Sequence, residues 1–383
     1  MHSSKYNYSL NCFVIQFVAL LFLVSCNEID PKTNNFTSII HVDMDNTETP
    51  EKIILDEVIP LQTTEDCIIG KVAKIIHFGN RIIVLDHLYA RNMFIFDLSG
   101  NLLFRTTHGG GPGEVSNPRA IAIDRRDSII YLYEELVRKV RRYDLNGVYI
   151  DSRNVSGLFL YDFAPLGDEK FLVYHTMRYG ESTVPPIRTT YSICNDDFSD
   201  FEPLDEFLTS KESLLVLLSP INMSSDQKLF VVPWSNNVYE FMEDGIKEKY
   251  SLDFGKHSLK PDLKETNDIS TILPLVRSSF NSKVGGLLSV FSNSNYVIVV
   301  ADYGRHALPI IHSKKDKKTY SLRNYIDQGL LPECVPWGIN DSNYIFALVQ
   351  PADFIVFNKK SQRYGHLNIT LDSNPIIIKI KMK

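Results

Sequence analysis

The chain has 383 residues, of which 44% are hydrophobic and 22% are charged, and its formal net charge is -6. This composition supports a well-filled core and excludes a largely disordered chain. The mild acidic excess argues against nucleic acid as a partner, because neutralising phosphates requires clustered Lys and Arg. The five cysteines show no CxxC or Cys/His ligand spacing, so we expect neither a metal site nor a cofactor.

The N-terminal segment predicts export and a lipid anchor. Residues 13–24 (FVIQFVALLFLV) form an apolar run that is short for a membrane span but typical of a signal-peptide core. The run ends in LVSC, which is similar to the bacterial lipobox, whose cysteine is lipidated and becomes the new N-terminus. We therefore expect a signal peptide over 1–25, lipidation of Cys26 and a polar tether over 26–48. The alternative is an ordinary secretory signal with a chance cysteine.

From residue 49 onward, short apolar strands alternate with turns rich in Asp, Asn, Gly and Ser, and the pattern repeats. Segment 82–85 (IIVL) is followed by 93–100 (MFIFDLSG), and segment 129–132 (IIYL) is followed by 140–147 (VRRYDLNG). Matched positions, such as Asp97 and Asp144, are 47 residues apart. Asp at such a turn bonds its own backbone, so we interpret both carboxylates as structural.

Fainter copies of the same unit follow along the chain. They pair segments 171–174 with 191–196, 229–232 with 238–241, 296–300 with 309–311, and 344–348 with 354–358. Units of this length bury both sheet faces by packing radially, which predicts an all-β, six-bladed β-propeller of four-stranded antiparallel blades over 49–383. Ring closure would require an N-terminal strand near 52–61. A pair of β-sandwiches would explain the turns but not the constant offset, and a helical insertion could lie near 271–280.

The glycine-rich segment 109–114 (GGGPGE) is the most specific local motif. A phosphate-binding loop would need a following helix and Gly-Lys-Ser/Thr, but Pro112 and Glu114 precede a strand here. We therefore interpret the segment as a tight crossing from the outer strand of one blade to the inner strand of the next.

Together, the lipobox, the FDLSG turn at 96–100 and the HGGGPGE segment leading into NPRAIAID at 117–124 carry a family resemblance. The chain resembles the 6-bladed β-propeller lipoproteins of gut Bacteroidetes, which are similar to NHL-repeat propellers. The resemblance is sharp over the first two blades and covers roughly residues 50–370. It implies the fold and a lipid-anchored place in the bacterial envelope, either periplasmic or surface-facing.

The resemblance also implies which loops share one face of the ring, namely those between blades and those after each second strand. Aromatic and arginine side chains there are suited to anchoring a flat ligand such as a sugar or a peptide. The alternative is that they are ordinary loop residues. The candidates are Tyr89, Arg91, His108, Glu114, Arg119, Arg178, Tyr179, Trp234, Tyr303, Arg305 and His306.

The sequence favours binding over catalysis. The expected inner strands, at 119–124, 160–164, 216–223, 287–292 and 335–340, supply mostly apolar residues and serines, and no GxSxG motif occurs. We therefore expect a membrane-anchored, non-catalytic binding or scaffold propeller whose ligand is a glycan, a peptide or an envelope protein. The alternative is a calcium-type hydrolase or lyase with its site in the central channel.

Overall fold

Six four-stranded antiparallel sheets form the six blades of a propeller, as the repeat predicts. This computed structural model describes residues 37–46, 49, 53–155, 158–177, 188–204, 221–223, 228–232, 235–242, 245–258, 283–304 and 306–382. Two strands precede the first blade, β1 (Ser38–His41) and β2 (Ile53–Pro60).

Blades 1 and 2 hold the clearest repeats, and a short parallel pair, β7 with β8, lies in the crossing between them. Their strands are β3 (Lys74–Phe78), β4 (Arg81–Asp86), β5 (Asn92–Phe96), β6 (Leu102–Arg105), β7 (Thr107–His108), β8 (Glu114–Val115), β9 (Pro118–Asp124), β10 (Ile129–Glu134), β11 (Lys139–Tyr143) and β12 (Tyr149–Asn154).

Blades 3 and 4 follow the same order from the inner to the outer strand. Their strands are β13 (Leu160–Gly167), β14 (Lys170–Met177), β15 (Arg188–Asn195), β16 (Glu202–Pro203), β17 (Ile221–Met223), β18 (Lys228–Val231), β19 (Asn237–Met242) and β20 (Gly245–Asp253). A 3-10 turn follows at Gly255–His257.

Blades 5 and 6 contain the two described α-helices. Their elements are β21 (Val284–Ser292), β22 (Tyr296–Tyr303), β23 (His306–Ser313), β24 (Thr319–Ser321), α1 (Leu322–Asp327), β25 (Val335–Ile339), β26 (Tyr344–Val349), α2 (Pro351–Ser361) and β27 (Ile376–Met382).

The ring closes through an N-terminal strand, as expected. Strand β2 pairs antiparallel with β27 and becomes the outer strand of blade 6. Strand β1, which lies inside the expected tether, instead pairs in parallel with β20 and widens blade 4 to five strands. The side chain of Ile40 is buried there, so burial of apolar surface stabilises this pairing.

Hydrophobic packing joins consecutive blades all the way around the ring. Among the described residues, six buried clusters each draw side chains from two neighbouring blades. The cluster that closes the ring contains Ile59 from β2, Phe94 from blade 1 and Ile377 from blade 6. Both faces of each central strand are covered in this way, which is why β4 reads as a nearly continuous apolar run.

The repeated Asp-x-x-Gly turn has the structural role that the offset predicts. In blades 1 and 2, the Oδ1 atoms of Asp97 and Asp144 accept hydrogen bonds from backbone amides two and four residues later. Gly100 and Gly147 both have φ +85°, and a Cβ on either would lie within 2.2 Å of the preceding blade's outer strand, at Pro60 and Phe104 respectively. Each turn glycine therefore serves both the turn and the contact between blades.

The sixth repeat is where the strand prediction is wrong. Segment 354–358 belongs to helix α2, and the third strand of blade 6 is β27 instead. Pro351 at the first helical turn, Asp353 near the N-terminus and Lys359 near the C-terminus all favour a helix. The other matched strand segments lie in strands, except that 191–196 and 229–232 each extend one residue beyond theirs, and the range 271–280 lies outside the described residues.

Candidate functional site

The antiparallel order of the blades defines two faces of the ring. Inner strands begin on one face, which also carries the loops between second and third strands; we call it the loop face. The opposite face carries the hairpins that join first to second and third to fourth strands; we call it the turn face. The predicted binding residues that the structure describes belong to loop-face segments, whereas a cavity in the central channel lies towards the turn face.

Five of the described candidates divide into two groups by exposure, and Tyr89 and Arg91 are taken up below. His108 and His306 are exposed. Arg119, Glu114 and Tyr303 are half-buried and make internal contacts. The guanidinium of Arg119 lies 5.3 Å from the centre of the Tyr161 ring, and Tyr303 packs against the hydrophobic cluster between blades 4 and 5.

The candidates Arg178, Tyr179, Trp234 and Arg305, together with the lipidation residue Cys26, lie outside the described residues. His108 and Glu114 share the crossing between blades 1 and 2, and Tyr303 and His306 pair at the end of one hairpin.

A buried ion pair fixes the glycine-rich crossing to blade 2. Glu134 accepts a hydrogen bond of 2.8 Å from Arg141 Nε, and it also accepts the amide and the hydroxyl of Ser116. Arg141 in turn donates to the carbonyl of Gly111. Burial alone raises the pKa of Glu134, but the hydrogen bonds from Ser116 and Arg141 outweigh it, so the pKa lies below its ordinary value. The crossing is therefore a rigid part of the fold.

Glu114 closes this crossing from within. Its carboxylate accepts the amide of Gly111 at 2.8 Å, and a Cβ on Gly109 would lie 2.1 Å from Glu114 Oε2. The glycine at 109 therefore makes room for the carboxylate, and Glu114 caps the amide of Gly111.

In blade 1, a second buried carboxylate also holds loop-face segments in place by accepting hydrogen bonds from backbone amides. Asp86, at the end of β4, accepts the amides of Gly70 and Lys71, which lead into β3. It also accepts the amides of Leu88 and Tyr89 in the following loop. Burial raises the pKa of Asp86, but these backbone hydrogen bonds outweigh it and leave the pKa below its ordinary value.

With these charges paired internally, the loop face exposes apolar side chains. Tyr89 and Leu136 occupy equivalent positions 47 residues apart, and their exposed fractions are 69% and 74%. Each is followed two positions later by an arginine in the left-handed backbone region, Arg91 at φ 51° and Arg138 at φ 50°. Two adjacent blades therefore present the same apolar-then-cationic loop.

The central channel contains a cavity that sequence reasoning missed. Its volume is about 180 Å³, well above the ~10–15 Å³ that one water requires. Its walls come mainly from the inner strands of five blades and from residues just beyond their ends, mostly nearer the turn face, and Phe346 on β26 also contributes. The lining includes Lys74, His77, Arg125, Phe163, Phe291, Trp337, Asp341 and Phe346.

One ion pair ties two non-adjacent blades together beside this cavity. Lys74 on β3 donates to Asp162 on β13 at 2.7 Å, and both side chains are almost fully buried. The pair therefore reaches past blade 2, which lies between blades 1 and 3. No pattern within a single repeat could have revealed it, because the partners are 88 residues apart.

Two further observations bear on chemistry and on membranes. Among the residues that the structure describes, no group of three or more His, Cys, Asp and Glu side chains is placed to hold a metal ion. Within the same described ranges, no helix has the length and apolar character needed to cross a membrane.

Comparison with known proteins agrees with the architecture. The fold defines a six-bladed β-propeller, and a family model matches residues 46–381. The chain belongs to the family described as Domain of unknown function (DUF4934). No curated protein matches the chain.

Solved structures supply the wider context. A Bacteroides fragilis protein named as an exported protein is 16% identical, with a TM-score of 0.72 over 91% of this chain and 100% of that one. At that identity the likeness concerns the fold alone. A DUF4221-family protein from Bacteroides vulgatus is 9% identical, with a TM-score of 0.47 over 87% of this chain and 99% of that one.

Proposed function

We propose that this protein is a lipid-anchored, non-catalytic propeller of the bacterial envelope that binds a partner protein through its loop face. The observation that carries the proposal is the matched pair of exposed loops on blades 1 and 2. Tyr89 and Leu136 hold apolar surface in water at the same place in two repeats, and a partner that covered this surface would gain the free energy of its burial.

Neighbouring side chains enlarge this surface. Leu88 and Val137 are 47% exposed in the same two loops, and Phe159 lies nearby beneath the guanidinium of Arg138, at 4.7 Å from its ring centre. Aromatic and arginine side chains are enriched in protein interfaces. An apolar patch edged by arginines is suited to a partner with apolar and carboxylate side chains, more than to a polar glycan.

The left-handed backbone conformation of Arg91 and Arg138 also supports a partner-binding role for the loop face. A left-handed conformation costs an ordinary L-residue about 1 kcal/mol, and Gly or Asn would adopt it more cheaply. Arg91 and Arg138 occupy it at equivalent positions in consecutive blades. We interpret their side chains as retained for contact with the partner.

Anchoring and export form the second part of the proposal. Its support is the LVSC sequence after an apolar run, and the exported protein of Bacteroides fragilis that shares the fold. Changing Cys26→Ser should release the protein from membranes and abolish acylation. Membrane retention of this variant would overturn the lipid anchor.

The interaction is tested by capture from envelope extracts with purified protein. The double variant Tyr89→Ser/Leu136→Ser should lose its partner, while Leu103→Ser/Ile150→Ser serves as the matched control. These control residues are also 47 residues apart and 46% exposed, but they lie on the outer strands β6 and β12. Equal capture by both double variants would contradict the proposal, as would tightly held metal with hydrolase activity in the purified protein.

A further inference from the structure

Trp337 lines the central cavity and carries a hydrogen-bond donor that no described residue uses. Its Nε1 atom is buried and has no hydrogen-bond partner among the described residues. The register of β25 against β26 shifts between Pro336 and Gly338, so Trp337 lies at an irregularity that can re-aim a side chain. Because native proteins pair nearly all buried donors, this one indicates a missing acceptor.

Flat rings form much of the cavity wall. Phe163, Phe291 and Phe346 line it together with Trp337. The imidazole of His77 stacks on Phe346 with ring centres 3.9 Å apart and an interplanar angle of 18°. Such a wall is suited to one flat face of a ligand ring.

The charged groups at the cavity are of both signs. Lys74 is neutralised by Asp162, and the mouth carries one exposed cation, Arg125, and one exposed anion, Asp341. The guanidinium of Arg125 lies 5.3 Å from the centre of the Phe78 ring and forms no ion pair with a described carboxylate, so its N–H groups can still donate to a ligand. This balance of charge favours a neutral ligand over an ion.

His77 adds both a donor and an acceptor. Burial, helped by Arg125 and Lys379, lowers the pKa of His77 to about 4, so the ring is neutral at pH 7. A neutral imidazole donates from one nitrogen and accepts at the other. The cavity therefore offers donors, acceptors and aromatic faces in a small volume.

We propose that this cavity binds one neutral saccharide unit, stacked on the aromatic wall and accepting a hydrogen bond from Trp337 Nε1. Sugar hydroxyls both donate and accept, which is what Arg125, Asp341 and His77 together require. The site lies in the channel towards the turn face, so the proposal is independent of partner binding at the loop face.

The test follows the indole N–H resonances in ¹H–¹⁵N spectra of the full-length protein. The chain has two tryptophans, and Trp234→Phe serves only to assign the Trp337 peak. D-glucose, D-galactose, D-mannose and N-acetyl-D-glucosamine are titrated separately, with benzoate as an anionic comparison. We expect at least one saccharide to shift the Trp337 peak to saturation and benzoate to leave it unchanged.

Variants then assign the contacts. Trp337→Phe keeps a ring but removes the donor, so we expect about tenfold weaker saccharide binding, measured by calorimetry. Arg125→Ala should weaken binding similarly. Arg126→Ala is the matched control, because Arg126 is the next residue but pairs with Asp124 and Asp168 and does not line the cavity.

Three results would overturn the proposal. They are the absence of any saccharide-induced shift of the Trp337 peak, a shift caused by benzoate alone, and unchanged saccharide affinity in both Trp337→Phe and Arg125→Ala. Thermal unfolding of each variant shows whether a loss of binding comes from the site or from the fold.

Discussion

The two faces of the ring use their polar groups in opposite ways. On the loop face, Asp86, Glu134 and Arg141 are buried and fully engaged in holding the crossings, while apolar side chains remain in water. In the cavity towards the turn face, Trp337 Nε1 has no hydrogen-bond partner among the described residues, and the guanidinium of Arg125 lies over the Phe78 ring without a described ion pair. Polar groups that are hydrogen-bonded or ion-paired within the fold are structural, and those without such a partner are candidates for ligand recognition.

The largest effect should come from breaking the loop-face ion pair. Glu134→Ala leaves Arg141 buried without its carboxylate, and we expect a loss of about 3–5 kcal/mol in the free energy of unfolding. Urea denaturation measures this change. Lys256→Ala is the control, because the pair Lys256–Asp45 is exposed and solvent screens the attraction between its charges. A loss below that of the control would show that the loop-face charges are not structural.

The next effect concerns the cavity and depends on pH. An unfolded histidine protonates near pH 6.5, but burial holds the pKa of His77 at about 4 in the folded protein. The unfolded chain therefore binds this proton more readily than the folded protein does. The neutral ring of His77 costs no stability above pH 6.5, but the free energy of unfolding falls progressively as pH falls towards 4, by roughly 3 kcal/mol at most. Denaturation at several pH values should show a shallower slope for His77→Phe than for the natural chain.

The control for this prediction is His366→Phe, because His366 lies on the surface. It should change the slope of stability against pH less than His77→Phe does. If His77→Phe and His366→Phe behave alike, the ring of His77 is not desolvated in the cavity.

The smallest effect on stability should come from the loop-face arginines. Arg91→Gly/Arg138→Gly relieves two left-handed backbones, so we expect the free energy of unfolding to change by less than about 1 kcal/mol. Partner capture should nevertheless fall, because both cations are removed. A variant that keeps its partner would show that these side chains are not part of the interface.

Structural features could be predicted from the sequence where all of their residues lie within one repeat. The turns at Asp97 and Asp144, their glycines, and the closing strand near 52–61 all depend on residues within one unit or on the period itself. The crossing at 109–114 was identifiable for the same reason. Several glycines and a proline just before a strand indicate a tight turn, because few other backbone conformations suit these residue types.

Features assembled from several blades could not be predicted. Trp337 looks like one apolar residue of a strand, and only the register shift in β25 explains its place in the cavity. Lys74 and Asp162 meet only because blades 1 and 3 face the same channel.

Helix α2 was missed because its apolar residues, read as FIVFN, also fit a strand, and the helix-favouring Pro351 lies outside that segment.

The central claim is that the ring carries two separate recognition sites. The direct measurement is a crossed comparison of Tyr89→Ser/Leu136→Ser and Trp337→Phe, each assayed for partner capture and for saccharide affinity. We predict that the first variant loses the partner and keeps the saccharide, and that the second does the reverse. Loss of both activities in either variant, with the fold intact, would contradict the account.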